Sequence, residues 1–241
     1  LQKHLDARLF AMYTEFIRER TYYPQLALVQ LYIDGDIALI DPTRADVAAL
    51  LVPMLTDPGV VKIMHSSSED LQAFKAGCNA VPTPVFDTQV AAALCGLGAG
   101  LSYLKLVGQL CGITLEKGET RSDWLQRPLS ESQRHYAADD VRYLLPIFDV
   151  LNAKLDELGR RPWLDADCQR AAAAAAEEAI DANPHLGIRT NQTLDQHAQL
   201  RLRRLLRWRD QRAIEKNKPK RWIIDNDVAL ALSRNALTEI N

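Results

Sequence analysis

The chain has 241 residues, 47% hydrophobic and 25% charged, with a formal net charge of −2. That is long enough for one large domain or two smaller ones. No apolar run approaches the roughly 18 residues of a membrane span, and the charged start Leu1–Arg8 lacks the apolar core of a signal peptide, so the expectation is a cytoplasmic protein with no membrane partner.

The near-neutral total hides an asymmetry. Residues 191–241 hold 11 Lys/Arg against 6 Asp/Glu, and the rest of the chain holds 18 against 25. An acidic body is thus followed by a basic region. An acidic site calls for cations and a basic surface suits a polyanion, although a solvated helix face explains the basic stretch equally well. The four cysteines, Cys78, Cys95, Cys111 and Cys168, form no C-x-x-C pair and no zinc-site spacing. They read as unpaired thiols packed as small hydrophobes.

In chain order, Leu9–Thr14 is a short apolar run and Leu26–Ile33 a longer, β-branched one. The turn Asp34-Gly35 and the run Ile37–Ile40 complete a hairpin signal. Val47–Leu55 has helical spacing and Asp57-Pro58-Gly59 ends it. Val60–Met64 reads as a strand, and Ser66 to Glu69 has capping-box spacing for a following helix. Val85–Phe86 is a short strand before another helix. Ser102 opens a helix closed by Gly112, and Ser130 opens a long one from Glu131 to about Leu158, bent at Pro146. Six alanines at 171–176 favour helix. Asn183–Gly187 reads as a linker, and a basic amphipathic helix spans about Asp195–Lys216 with Leu200, Leu202, Leu205, Leu206 and Trp208 among its arginines. Strands alternating with helices, then helices alone, predict an α/β domain followed by an α domain, divided between about 165 and 190.

Acidic residues fall near the ends of these elements: Glu15 at the end of the first strand, Asp70 in the first turn of the helix after Val60–Met64, and Asp139 and Asp140 in the long helix. Tyr136 lies four residues before Asp140, on the same helix face. Carboxylates converging from separate elements repel unless cations neutralise them, and oxygen ligands suit Mg²⁺ or Mn²⁺. Two such ions about 4 Å apart serve in-line phosphodiester displacement. Spacing alone does not establish convergence, and Asp70 in a first helical turn is favourable without any metal.

The surroundings of these residues carry a resemblance. Thr14-Glu15-Phe16, followed by Arg18-Glu19-Arg20-Thr21-Tyr22-Tyr23-Pro24-Gln25, resembles the first exonuclease motif of the ribonuclease D family. His65-Ser66-Ser67-Ser68-Glu69-Asp70-Leu71 resembles the second. Tyr136-Ala137-Ala138-Asp139-Asp140-Val141 resembles the third, in the Y-x-x-x-D form of the tyrosine subclass of DEDD exonucleases. Arg121–Leu129 is similar to a further segment of that family. Residues Leu205–Arg209, Ala213, Asn217-Lys218-Pro219 and Ile223–Leu232 look like an HRDC domain, a looser match covering less sequence than the family carries there.

The resemblance implies a ribonuclease-H-like α/β exonuclease domain with a mixed sheet over 1–165, a helical linker over 166–190 and an all-α HRDC domain over 191–241. It implies a 3′→5′ exoribonuclease that trims RNA 3′ ends, with tRNA precursors the usual substrate, by two-metal-ion hydrolysis with Mg²⁺ or Mn²⁺. Glu15, Asp70 and Asp140 would be metal ligands, Glu15 also catalytic, and Tyr136 would position the attacking water. Asp139 reads as non-ligating and His65 as structural. Arg18, Arg20, Tyr22, Arg121 and Trp124 are the expected nucleic-acid contacts, with Tyr23 a further ring suited to stacking, and a monomer is expected.

One ligand position departs from the family. Its motif is Asp-Thr-Glu, and here it reads Tyr13-Thr14-Glu15. Alternate strand residues share a face, so Tyr13 faces the site, where a neutral phenol with a pKa near 10 is a poor, oversized metal ligand. Two other readings therefore stand beside the enzyme: a catalytically inactive RNA-binding protein on the same fold, and a DNA exonuclease.

Overall fold

The computed structural model describes residues 8–116, 118–119, 122–177, 180–189 and 193–234. They divide into two units, residues up to 17 together with 24–177, and residues 18–23 together with those from 178 onward.

The first unit is built on a five-stranded mixed sheet of order β3-β2-β1-β4-β5. β1 (Leu9–Ile17), β2 (Gln25–Ile33) and β3 (Asp36–Ile40) run antiparallel, while β4 (Val61–Met64) and β5 (Val85–Asp87) continue parallel to β1. The β2–β3 connection is the expected Asp34-Gly35 turn. Both residues have positive φ, 49° and 87°, the backbone of a two-residue turn that matches strand twist. Helices α1 (Ala45–Thr56), α2 (Ser68–Cys78), α3 (Thr88–Leu94), α4 (Tyr103–Cys111), α5 (Glu131–Arg142), α6 (Leu144–Glu157) and α7 (Arg161–Glu177) cover the sheet. Phe10, Met12, Leu31, Ile63, Phe74, Phe86, Leu106, Ile147 and Leu151 lie in one continuous core.

Three expectations change. The long helix is broken rather than bent: α5 ends at Arg142 and α6 starts at Leu144. Pro146 has no N–H to give and its ring would collide with the carbonyl four residues back. The Tyr103 hydroxyl fills the gap, donating to the Asp139 carbonyl at 2.9 Å and accepting the Tyr143 N–H at 3.3 Å. A side chain inserted into the helical ladder is a known cause of such a break. Second, residues 166–177 are not a linker. They belong to α7, which packs on α2 and β5 and buries Leu164 and Cys168 in the first unit's core. Third, the helix after β4 is not closed by a Ser66–Glu69 box. Ser67 is its N-cap residue, and its hydroxyl donates instead to Asp87 at 2.8 Å. The box does form at Ser130, with Gln133. All four cysteines are unpaired.

In the second unit, α8 (Gln196–Lys216), α9 (Lys220–Ile223) and α10 (Asn226–Arg234) follow a short 3₁₀ turn at Pro184–Gly187. Asp195 caps α8 by accepting the Ala198 N–H at 2.7 Å. Leu202, Leu206, Ala229 and Leu230 form its core. Beside them the buried Asp210 accepts from Arg209 at 2.9 Å and Lys220 at 2.7 Å. No helix among the described residues is long and apolar enough to cross a membrane.

Candidate active site

β1 is the central strand, and its alternation sorts the site. Thr14 points to the face covered by α2, while Tyr13 and Glu15 point to the face covered by α5. Glu15 pairs with Leu28, which packs with Ala137 of α5. The register slips between Glu15 and Phe16, and an irregularity of this kind re-aims side chains at a strand end. From the other face, Thr14 donates both its N–H, at 3.0 Å, and its hydroxyl, at 2.6 Å, to Oδ1 of Asp70 in the first turn of α2. α5 delivers Asp140 and, one turn earlier, Tyr136.

These groups feel one another's charge. Burial, then the Asp140 and Asp70 carboxylates, push the Glu15 carboxyl up to about 9. Burial, then Asp139 and Asp70, push Asp140 up to about 8. Asp70 is pushed up to about 7 by burial, against the opposing pull of its Thr14 hydrogen bonds. Tyr13 and Tyr136 are driven well above the ordinary phenol range, first by burial and then by these same carboxylates. Both phenols are therefore neutral at physiological pH.

Positive charge is what such a set lacks. Oδ2 of Asp140 is buried with no hydrogen-bond partner among the described residues. An orphaned carboxylate oxygen among hard oxygen donors fits a divalent cation. The fit is incomplete: no three Asp, Glu, His or Cys side chains among the described residues stand close enough together to hold a metal ion as they are, and Tyr13 brings a phenol where the motif would bring a carboxylate. Gln30 lies directly across from Tyr13, is wholly buried, and finds no partner for either of its amide atoms among the described residues.

Two surroundings hold the reacting groups in place, and sequence reasoning passed over both. Asp87 caps α3 through the Gln89 and Val90 N–H groups, and also accepts the Ser66 N–H at 3.0 Å and the Ser67 N–H at 2.7 Å. It therefore fixes the entrance of α2, and with it Asp70. An acidic residue between a strand and a helix was the available signal. Tyr136 is held by Trp124, with ring centroids 6.0 Å apart, and by the backbone at Gly118, where an added Cβ would stand 2.7 Å from the Tyr136 ring.

The remaining expected residues sort differently. Trp124 is 2% exposed and packs with Ala27, Leu28 and Ala137, so it is a supporting core aromatic and not a ring open to a base. Arg18, Arg20 and Tyr22 group with the second unit; Arg20 is exposed and Tyr22 half-buried. Arg121 lies outside the described residues. Asp139 pairs with Arg142 at 3.0 Å. His65 engages Thr88 at 2.9 Å and the Leu101 carbonyl at 3.1 Å, a structural use of both ring nitrogens.

A mixed sheet whose central strand and two flanking helices bring carboxylates and a tyrosine together defines a metal-dependent nuclease scaffold. The chain belongs to the 3′-5′ exonuclease family, whose model matches residues 1–156. Within that family it is similar to ribonuclease D. The ribonuclease D of Xanthomonas oryzae pv. oryzae is 52% identical over 97% of this chain and 64% of its own length. The crystal structure of Escherichia coli RNase D, described as an exoribonuclease involved in structured RNA processing, superposes with a TM-score of 0.79 at 33% identity, covering 97% of this chain and 62% of that one. Brucella melitensis NrnC with bound Mg²⁺ matches at a TM-score of 0.64 and 25% identity, over 73% of this chain and 87% of that one. The chain thus spans less than two thirds of the ribonucleases D it matches, and the use of divalent metals belongs to the fold it shares.

Proposed function

We propose that the chain carries the catalytic centre of a 3′→5′ exoribonuclease that trims RNA 3′ ends, tRNA precursors among them. The observation that carries this is the meeting of Glu15, Asp70, Asp140 and Tyr136 from β1, α2 and α5, with an orphaned Asp140 oxygen among them. Glu15, Asp70 and Asp140 would hold two divalent cations, Mg²⁺ or Mn²⁺. When bound, these ions acidify water and offset charge on the phosphodiester.

The chain's own groups do the rest. Thr14 fixes the Asp70 carboxylate through two hydrogen bonds. Tyr136 stays protonated, so its hydroxyl orients the attacking water and does not take its proton. Glu15 stands on the strand at the site's edge to accept hydrogen bonds from that water. Residues 191–241 fit an HRDC domain that contacts RNA phosphates with Arg18 and Arg20, in a cytoplasmic monomer.

Tyr13 favours a second reading, an RNA-binding protein of this fold with little turnover, because a neutral buried phenol supplies no charge where a carboxylate would. The experiment is Mg²⁺- and Mn²⁺-dependent trimming of a 3′-labelled RNA, beside a matched DNA, by this chain and by Tyr13→Asp. We expect Tyr13→Asp to trim RNA at least about tenfold faster, since one interaction made only in the transition state is commonly worth that much. Equal rates would refute the impairment, and faster trimming of DNA would refute the choice of RNA.

A further inference from the structure

The second unit holds a surface that the catalytic reading does not use. Asn217 closes α8 in the left-handed conformation, φ 45°. Its side-chain oxygen accepts the N–H groups of Tyr22, at 3.1 Å, and Tyr23, at 3.3 Å, nearly 200 residues away in sequence. That brings two short segments together, 18–23 and 217–222, both within this unit.

Together they carry five basic side chains, Arg18, Arg20, Lys218, Lys220 and Arg221, against one acidic one, Glu19. They also carry rings set among those charges. The Arg18 guanidinium stands 5.9 Å from the centroid of the Tyr22 ring and the Lys220 ammonium 5.8 Å from it. Lys218 stands 5.7 Å from the centroid of Trp222, which is 52% exposed. The arrangement is held from beneath, because Lys220 is anchored to the buried Asp210 and Arg18 donates to the Tyr22 carbonyl at 3.0 Å. Neither Tyr22 nor Trp222 contributes to this unit's apolar core.

Exposed cation–ring contacts add little to folding. A fixed cluster of like charges with an uncovered tryptophan is therefore poorly explained by stability. It matches a flexible polyanion with flat faces, whose phosphates meet the cations while a base lies on a ring. We infer that Trp222 and Tyr22, with Lys218, Arg18 and Arg221, form a base-stacking subsite for single-stranded RNA. The proposed nuclease activity bears on this only in choosing RNA as the strand.

The test uses the full chain and a 5′-fluorescein oligouridylate dodecamer in EDTA, where no trimming occurs, with fluorescence anisotropy as the readout. Trp222→Ala should weaken binding about tenfold, as loss of one stacked base does, without changing the salt slope. Lys218→Ala should lower that slope by about 0.7, the value for one single-strand phosphate contact. An abasic dodecamer should bind the unaltered chain more weakly, and Trp222→Ala should cost nothing further on it. Unchanged melting temperatures keep the variants comparable, and Trp222→Phe should restore most of the affinity. The inference is overturned if Trp222→Ala binds the dodecamer as tightly as the unaltered chain. Equal losses on the abasic strand also overturn it. Because no cleavage is read, a chain that fails every trimming assay can still pass or fail here.

Discussion

Raising the pH should destabilise the cation-free chain, and divalent cations should reverse the loss. Asp70, Asp140 and Glu15 are pushed up to about 7, 8 and 9 in the folded protein, whereas unfolded carboxyls ionise near 4. The folded state thus keeps protons that the unfolded state has already released, and stability falls with pH wherever that holds. The contribution of these groups is intact below about pH 4 and is lost as pH rises to the folded values of about 7 to 9. For Asp70 alone, which is 4% exposed, three pH units amount to about 4 kcal/mol. The three groups repel one another, so their losses overlap instead of adding. A total near 4 kcal/mol is already a large share of a domain's net stability of roughly 5–15 kcal/mol.

The assay is urea unfolding in EDTA at pH 5, 7 and 9, repeated with millimolar Mn²⁺. The midpoint should drop steadily with pH in EDTA, and the cation should raise it more at pH 8 than at pH 5, because its ligands must shed protons to bind. Asp70→Asn isolates the cause. Its Oδ1 can still accept both Thr14 hydrogen bonds, but it bears no charge. In EDTA at pH 8 this variant should be more stable than the unaltered chain, and it should lose most of the cation response. A cation-free stability that is flat or rising from pH 5 to pH 9 would refute the reasoning.

Gly118→Ala would drive a methyl group into the Tyr136 ring. In a Tyr13→Asp background it should lower kcat about tenfold at unchanged KM, and add nothing on top of Tyr136→Phe. Removing residues 191–241 should weaken RNA binding and flatten its dependence on salt; an unchanged slope in a filter-binding titration would count against that region as a phosphate-binding surface. Arg127 donates to Asp41, to the Trp124 and Gln126 carbonyls and to the Ala27 carbonyl. Arg127→Ala should cost about 1 kcal/mol in urea unfolding, the net scale of hydrogen bonds at exposed and half-buried acceptors that water can replace.

The parts legible in the sequence were those set by local chemistry. Asp34-Gly35 between apolar runs needs only its own backbone preferences to become a hairpin, and Ser130 with Gln133 needs only each other to become a cap. Periodicity placed Glu15, Asp70, Tyr136 and Asp140 on their elements, and the structure brings the elements together. What escaped was decided by groups distant in sequence. The break between α5 and α6 depends on a hydroxyl from Tyr103, some 40 residues upstream. An aromatic in a loop reads as exposed until the sheet and α5 close over it, which is how Trp124 came to look like a stacking residue. Asp87 was passed over because its second set of donors, the Ser66 and Ser67 N–H groups, comes from the turn between β4 and α2, some 20 residues upstream.

Tyr13 acts on charge as much as on space. Four carboxylates would balance two divalent cations, whereas the Glu15, Asp70 and Asp140 found here balance only one and leave a single negative charge over. A second dication would then leave the centre with a net positive charge, walled by a ring that burial and its neighbours keep from ionising. Raising the pH offers no remedy, because ionising that phenol beside three carboxylates is the costliest deprotonation in the site. The lesion therefore falls on the second ion more than the first. In a Mn²⁺ titration followed by isothermal calorimetry, this chain should fill one site in the range where Tyr13→Asp fills two; two sites of equal affinity in both proteins would mean that the phenol, and not the charge count, has been misjudged.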